Sequence, residues 1–170
     1  MITDNRQSTA DHSTFDTTLS NLEHITALLN QAQQLAEQHQ LHYSGDLDPK
    51  IAWQLIQAQY GLLIDVRTHE ERKFVGYIEQ SIHVAWANGT SLTRNPRFIR
   101  ELEKVANKEQ VLILICRSGQ RSALAASAAI DAGFKQVYNI IDGFEGKLNT
   151  ALQRNQENGW KYLNLPWIQD

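Results

Sequence analysis

The chain has 170 residues, 42% hydrophobic and 21% charged, the balance of a soluble globular domain with a sizeable core and room for an appendage. Its formal charge of -3 is uneven: residues 1–60 carry two basic and seven acidic side chains, and residues 61–170 carry fourteen and twelve. The resulting +2 is too weak for a nucleic-acid surface, no apolar stretch approaches the ~20 residues of a membrane span, and a single cysteine excludes an internal disulfide. With no basic start and apolar core of a signal peptide at Met1 to Thr9, a cytoplasmic protein without nucleic-acid or membrane partners is expected.

Residues 1–19 are polar, rich in threonine and serine and without periodicity, which predicts a flexible tail. From Ser20 the spacing of a capping box with Glu23, and Leu22, Ile25, Leu29, Ala32, Leu35 and Ala36 at helical intervals, predict an amphipathic helix to about Gln40. Residues 20–44 are thus read as an N-terminal helical extension packing on a domain over 45–170, with dimerisation through the apolar stripe as the other use of that face. Asp48-Pro49 opens a second helix that Gly61 closes. Leu62 to Val66 reads as a buried strand, and Thr68 with Glu71 as a capping box opening a helix to about Phe74. Ile82 to Trp86 alternates weakly as a further strand, and Phe98, Ile99, Leu102 and Val105 mark a helix after Pro96. Val111 to Ile115 is a third apolar run, followed by a polar turn and an alanine-rich helix stopped by Gly133. Val137 to Ile141 is another strand, Asp142 to Gly146 a glycine-rich turn, and Lys147 to Gln156 a final helix. Trp160, Tyr162, Leu165 and Trp167 are expected to strap over apolar surface. Alternating strands and helices predict an α/β fold, a parallel sheet covered on both faces, with ligands beyond the strands' carboxyl ends. Asp65, Cys116 and Asp142 all follow strand runs.

The chemistry concentrates in Cys116-Arg117-Ser118-Gly119-Gln120-Arg121-Ser122. A cysteine where a strand meets a helix start lies among outward-pointing backbone N–H groups, which favour an anion. Arg117 and Arg121 add cations, so the loop offers what a reactive thiolate needs: positive surroundings and partial exposure. No histidine is near in sequence, though His69 or His83 can approach in space. The opposing reading is a small buried packing cysteine, which would need neither flanking arginines nor a glycine.

Four stretches together resemble the rhodanese-like domain family of sulfurtransferases: Leu63 to Arg67 with Glu70 or Glu71, Gly76 to Ile82, the Cys116 to Ser122 loop, and Ile141 to Gly146. The resemblance spans about residues 45–167. It implies a five-stranded parallel sheet flanked by helices, with the loop cysteine accepting sulfane sulfur as a persulfide before passing it to a nucleophile. Carried over by position, Cys116 holds the persulfide, and backbone N–H groups from Arg117 through Ser118, Gly119 and Gln120 to Ser122 cradle it. Arg117 and Arg121 attract an anionic donor such as thiosulfate. Asp65 and Arg67 serve as structural support joining loops at the strand edge, Ser118 and Ser122 cap the helix or donate to the ligand, and Trp86 packs in the core or lines the pocket. The implied partners are a small anionic sulfur donor and a thiol or cyanide acceptor; the N-terminal helix lies outside the resemblance, and a sulfur-acceptor protein docking there is a separate expectation. No cofactor or metal is implied, because one cysteine and scattered histidines offer no zinc-type spacing. The chain departs from the family pattern at Tyr77, where histidine is frequent, at Ser81-Ile82 in place of Gly-Ala, and at Gly143-Phe144-Glu145-Gly146, which lacks an adjacent glycine pair.

Two other functions share these residues. Cysteine-dependent phosphatases and arsenate reductases use a similar loop, but place five residues between cysteine and arginine where this chain has four between Cys116 and Arg121. The longer ring admits a tetrahedral phosphate, and the tighter one suits a single sulfur atom. A rhodanese-like docking module typically lacks the cysteine that is present here.

Overall fold

The computed structural model describes residues 11–170; the first half of the expected tail lies outside them. Helix α1 runs Asp11–Gln38, so it starts ahead of the capping box at Ser20 and takes in the second half of that tail. Ile25, Leu29, Ala32 and Ala36 form its buried stripe, and the packing is close: a Cβ at Gly45 would come within 2.5 Å of the Ala32 carbonyl oxygen. The stripe therefore covers the chain's own sheet.

Strand β1, Gly45–Leu47, was not legible in the sequence, being three residues with a glycine and an aspartate. Asp48 then caps α2, Pro49–Gln57, by accepting from the Lys50 N–H at 2.8 Å. Strand β2, Leu62–Asp65, leads to α3, His69–Val75. Its capping box is complete: Thr68 Oγ1 accepts from the Glu71 N–H at 3.2 Å and Glu71 Oε2 from the Thr68 N–H at 2.9 Å. Thr68→Ala is expected to cost about 1 kcal/mol, read as a lower urea midpoint at unchanged slope.

The expected strand over 82–86 shrinks to β3, Ile82–His83, after which a small antiparallel pair forms from β4, Ala87–Asn88, and β5, Thr93–Arg94. Then come α4, Phe98–Val105; β6, Val111–Ile115; α5, Gln120–Asp131; and β7, Gln136–Ile140. The sheet has five parallel strands in the order β1-β7-β6-β2-β3.

Both faces are covered, and strand alternation sorts the core. Ile113, Ile115, Tyr138 and Ile140 face α1, α2 and the C-terminal segment, with Trp160 fully buried among them. Leu112, Leu114, Cys116 and Val137 face α4 and α5. The helix expected over 147–156 does not form. Asn149 Oδ1 instead accepts from the Ala151 and Gln153 N–H groups, and Asn158 Oδ1 from that of Lys147, so side chains take backbone donors a helix would need. The C-terminal strap is real but uneven: Trp160 sits edge-on to Trp53 at 5.8 Å, whereas Tyr162 and Trp167 stay partly exposed.

Candidate active site

Because all five main strands are parallel, their carboxyl ends open on one edge, and the loops after β2, β6 and β7 meet there. Cys116 directly follows β6 and is 1% exposed, so the expected partial exposure is corrected. Its side chain lies in the core that faces α4 and α5, and the 142–146 turn after β7 holds the loop's backbone. The N–H groups of Phe144 and Glu145 donate to the Cys116 and Arg117 carbonyls at 2.8 and 2.9 Å. Gly143, at φ 62°, lies so close that an added Cβ would stand 2.7 Å from Ser118 N.

The sulfur faces into its own loop. Gly119, left-handed at φ 89°, aims its N–H at Cys116 Sγ from 3.2 Å, and the Ser122 hydroxyl stands 3.2 Å from the same atom. Of the backbone N–H groups from Arg117 to Ser122, that of Gly119 is the one that donates to the thiol sulfur itself. Gln120 opens α5 and is exposed, and Ser118 is half-buried. Ser122 is fully buried and also meets Asn139 Oδ1 at 2.6 Å and the Gly119 carbonyl at 3.2 Å.

The two loop arginines differ. Arg121 makes a two-pronged pair with Glu71, at 2.7 and 2.6 Å, so it is not a free anion site. Burial pushes the Glu71 carboxyl up, but Arg121 and the Thr68 N–H outweigh it and hold it below its ordinary range. One glutamate thus caps α3 and anchors α5. Arg117 makes no ion pair among the described residues, and its buried Nε has no hydrogen-bond partner there. A third cation escaped the sequence reading. Arg154 donates to the Gly146 carbonyl at 2.6 Å, and burial together with the nearby Arg117 lowers its guanidinium from the ordinary value. No local pattern marks it, since it reaches the site only through the irregular strap.

Asp65 and Arg67 lie beside the loop, both fully buried, joined at 3.0 Å through Nε and 2.7 Å through Nη2. Arg67 also donates to the Gly76 carbonyl at 2.9 Å and stacks 3.9 Å over the Phe144 ring, while Arg72 adds a second cation to Asp65 at 2.7 Å. Burial acts to raise the Asp65 carboxyl, but Arg67 and Arg72 prevail and hold it low. These contacts tie β2 to the turn that seats the backbone of the cysteine loop. Among the described residues neither histidine reaches the sulfur; His83 Nε2 instead bonds the Arg67 carbonyl at 2.8 Å. Trp86 packs edge-on against Phe98 at 5.1 Å with Arg94 over its ring.

The family model of the rhodanese-like domain matches residues 48–149. The chain belongs to the rhodanese-like domain family. An uncharacterized protein of Rickettsia prowazekii is 38% identical over 117 residues, covering 66% of this chain and 87% of that protein. Thiosulfate sulfurtransferase GlpE of Coxiella burnetii is 31% identical over 94 residues, 55% of this chain and 78% of that one. A crystal structure from M. tuberculosis superposes with a TM-score of 0.69 at 37% identity, covering 75% of this chain and 99% of that chain. The rhodanese-like segment begins at residue 48, so α1 and β1 precede it.

Proposed function

We propose that this rhodanese-like protein is a sulfurtransferase that carries sulfane sulfur on Cys116. The observation that carries the reading is the placement of the sole cysteine. It sits at the head of α5 with the Gly119 N–H and the Ser122 hydroxyl both 3.2 Å from its sulfur. The likeness to a thiosulfate sulfurtransferase supports the choice of chemistry.

The Cys116 thiolate attacks the outer sulfur of thiosulfate. A new S–S bond forms, the old one breaks, and sulfite leaves with the bonding pair. The product is a Cys116 persulfide anion. Cyanide or a thiolate then attacks its outer sulfur and returns the Cys116 thiolate, so one hard transfer becomes two easier ones. The N–H of Gly119 faces the sulfur in both steps and needs no reorganisation as charge develops. Arg117, in no ion pair among the described residues, and the nearby Arg154 supply the positive charge that would draw in a dianionic donor and steady departing sulfite. Arg121, being tied to Glu71, holds the loop in shape. Four residues between Cys116 and Arg121 favour a single sulfur over a tetrahedral phosphate.

Incubation with excess thiosulfate, followed by gel filtration and intact-mass measurement, should show a gain of about 32 Da that cyanide removes with release of thiocyanate. Absence of that adduct with thiosulfate and with organic persulfide donors alike would sink the reading.

A further inference from the structure

The Ser122 hydroxyl has one proton and three acceptors around it: Asn139 Oδ1 at 2.6 Å, the Gly119 carbonyl at 3.2 Å and Cys116 Sγ at 3.2 Å. The shortest contact takes the proton. Asn139 presents its oxygen to Ser122 because its amide nitrogen faces a carboxylate: Nδ2 donates to Asp46 Oδ1 at 2.8 Å, and a carboxylate only accepts. Tyr43 donates to the same Oδ1 at 2.9 Å, and burial and the Asp46 charge raise its phenol so that it stays a donor. Every donor along this line therefore points toward Asp46. Ser122 and Asn139 are buried, at 0% and 4% exposure, so water does not compete for these groups.

We propose that Asp46 and Asn139 are positioning residues that turn the Ser122 hydroxyl away from Cys116 and so withhold its proton from the sulfur. When the sulfur becomes an anion, as thiolate or persulfide, the Ser122 proton turns to it and leaves Asn139 Oδ1 without its donor, which opposes the anion. Tyr43 and Asp46 lie before residue 48, where the rhodanese-like match begins, so a segment outside that match sets the proton inventory of the cysteine loop. The inference rests on Cys116 being the sulfur carrier, but its test does not require sulfur transfer.

The test is the rate of Cys116 alkylation by iodoacetamide across pH. Asn139→Ala removes the competing acceptor without changing any charge. Asp46→Ala frees the Asn139 amide to turn its nitrogen to Ser122. Each variant should alkylate about tenfold faster at neutral pH, the worth of one hydrogen bond to a charged group, with rates converging on the parent's at high pH. In a Ser122→Ala background neither substitution should accelerate the reaction. The other charged groups near the sulfur, Arg117, Arg154, Asp65 and the Arg121–Glu71 pair, are the same in all variants, so their fields cancel in the ratios. Unchanged neutral-pH rates overturn the proposal. So does acceleration that survives in Ser122→Ala, which would mean a through-space effect of Asp46, or acceleration that persists at high pH, which would mean an opened loop. If Asn139→Ala fails to fold, Asp46→Ala, at a partly exposed position on β1, decides by the same criteria. Failure of thiosulfate loading with this alkylation pattern intact would remove the sulfurtransferase reading and leave the hydroxyl switch standing.

Discussion

Asp65→Ala is expected to lower unfolding free energy by about 3–5 kcal/mol, because it strands a buried guanidinium rather than merely deleting a contact. Arg67 is fully buried and cannot shed its proton. Without Asp65 it keeps only the Gly76 carbonyl and the face of Phe144, neither of which carries a full negative charge. Arg72 loses its carboxylate too, but it is partly exposed and can turn to water. The measurement is urea unfolding, followed by the double replacement Asp65→Leu with Arg67→Met. If desolvated charge is the cause, removing both members recovers much of the loss, since an apolar pair of similar volume avoids the cost of burying ions. A double variant no more stable than Asp65→Ala would refute that cause. The pH dependence has a definite sign. The folded Asp65 carboxyl is held below its unfolded value of about 3.9, so its contribution is present above that pH and lost as pH falls through the lower folded value. The stability gap between parent and variant should therefore narrow only below about pH 4.

Cys116→Ser is expected to abolish sulfur loading and to lower thiosulfate-to-cyanide transfer to background, a loss of roughly 10^4-fold or more, the scale reached when a covalent nucleophile is removed. The serine hydroxyl fits where the thiol stood, and the contacts that seat the loop run through the Cys116 and Arg117 carbonyls, which the substitution leaves alone. Folding should be kept while chemistry is lost. Steady-state rates with both substrates varied provide a second check: the parent should give the parallel double-reciprocal lines of a two-step transfer, and Cys116→Ser no sulfur-dependent rate at all. Retention of substantial transfer by the serine variant would move the reaction away from this loop.

These two effects differ in how far they could be foreseen. The apolar runs of β2, β6 and β7 and the Thr68 to Glu71 box are local patterns, and the chain carries them out as read. The cysteine loop is also contiguous, so its place after a buried strand followed from the same periodicity. What the sequence hides is pairing between distant positions. Arg121 and Glu71 stand 50 residues apart, and their ion pair removes one of the two cations assigned to the donor. Asn139 reads as an ordinary strand residue until Ser122 and Asp46 arrive on either side of it. Strand β1 is too short to show a period, and the missing helix over 147–156 reflects Asn149 and Asn158, whose side chains take backbone donors a helix would need. The turn after β7 seats the backbone of the cysteine loop, a contact across the sheet edge that no local pattern encodes.

The outer strands of the sheet, β1 of three residues and β3 of two, carry a consequence for solution behaviour. An edge strand templates foreign β-strands in proportion to the unpaired N–H and C=O groups it displays. Here one edge is three residues long and lies beneath α1, and the other ends after two, just before the chain bends into the β4-β5 hairpin. The longer strands, β6, β7 and β2, are interior, hydrogen-bonded on both sides. Self-association by strand addition is thereby denied a foothold in the folded protein, and the aggregation-prone segments, Val111 to Ile115 foremost, become available only when the sheet itself comes apart.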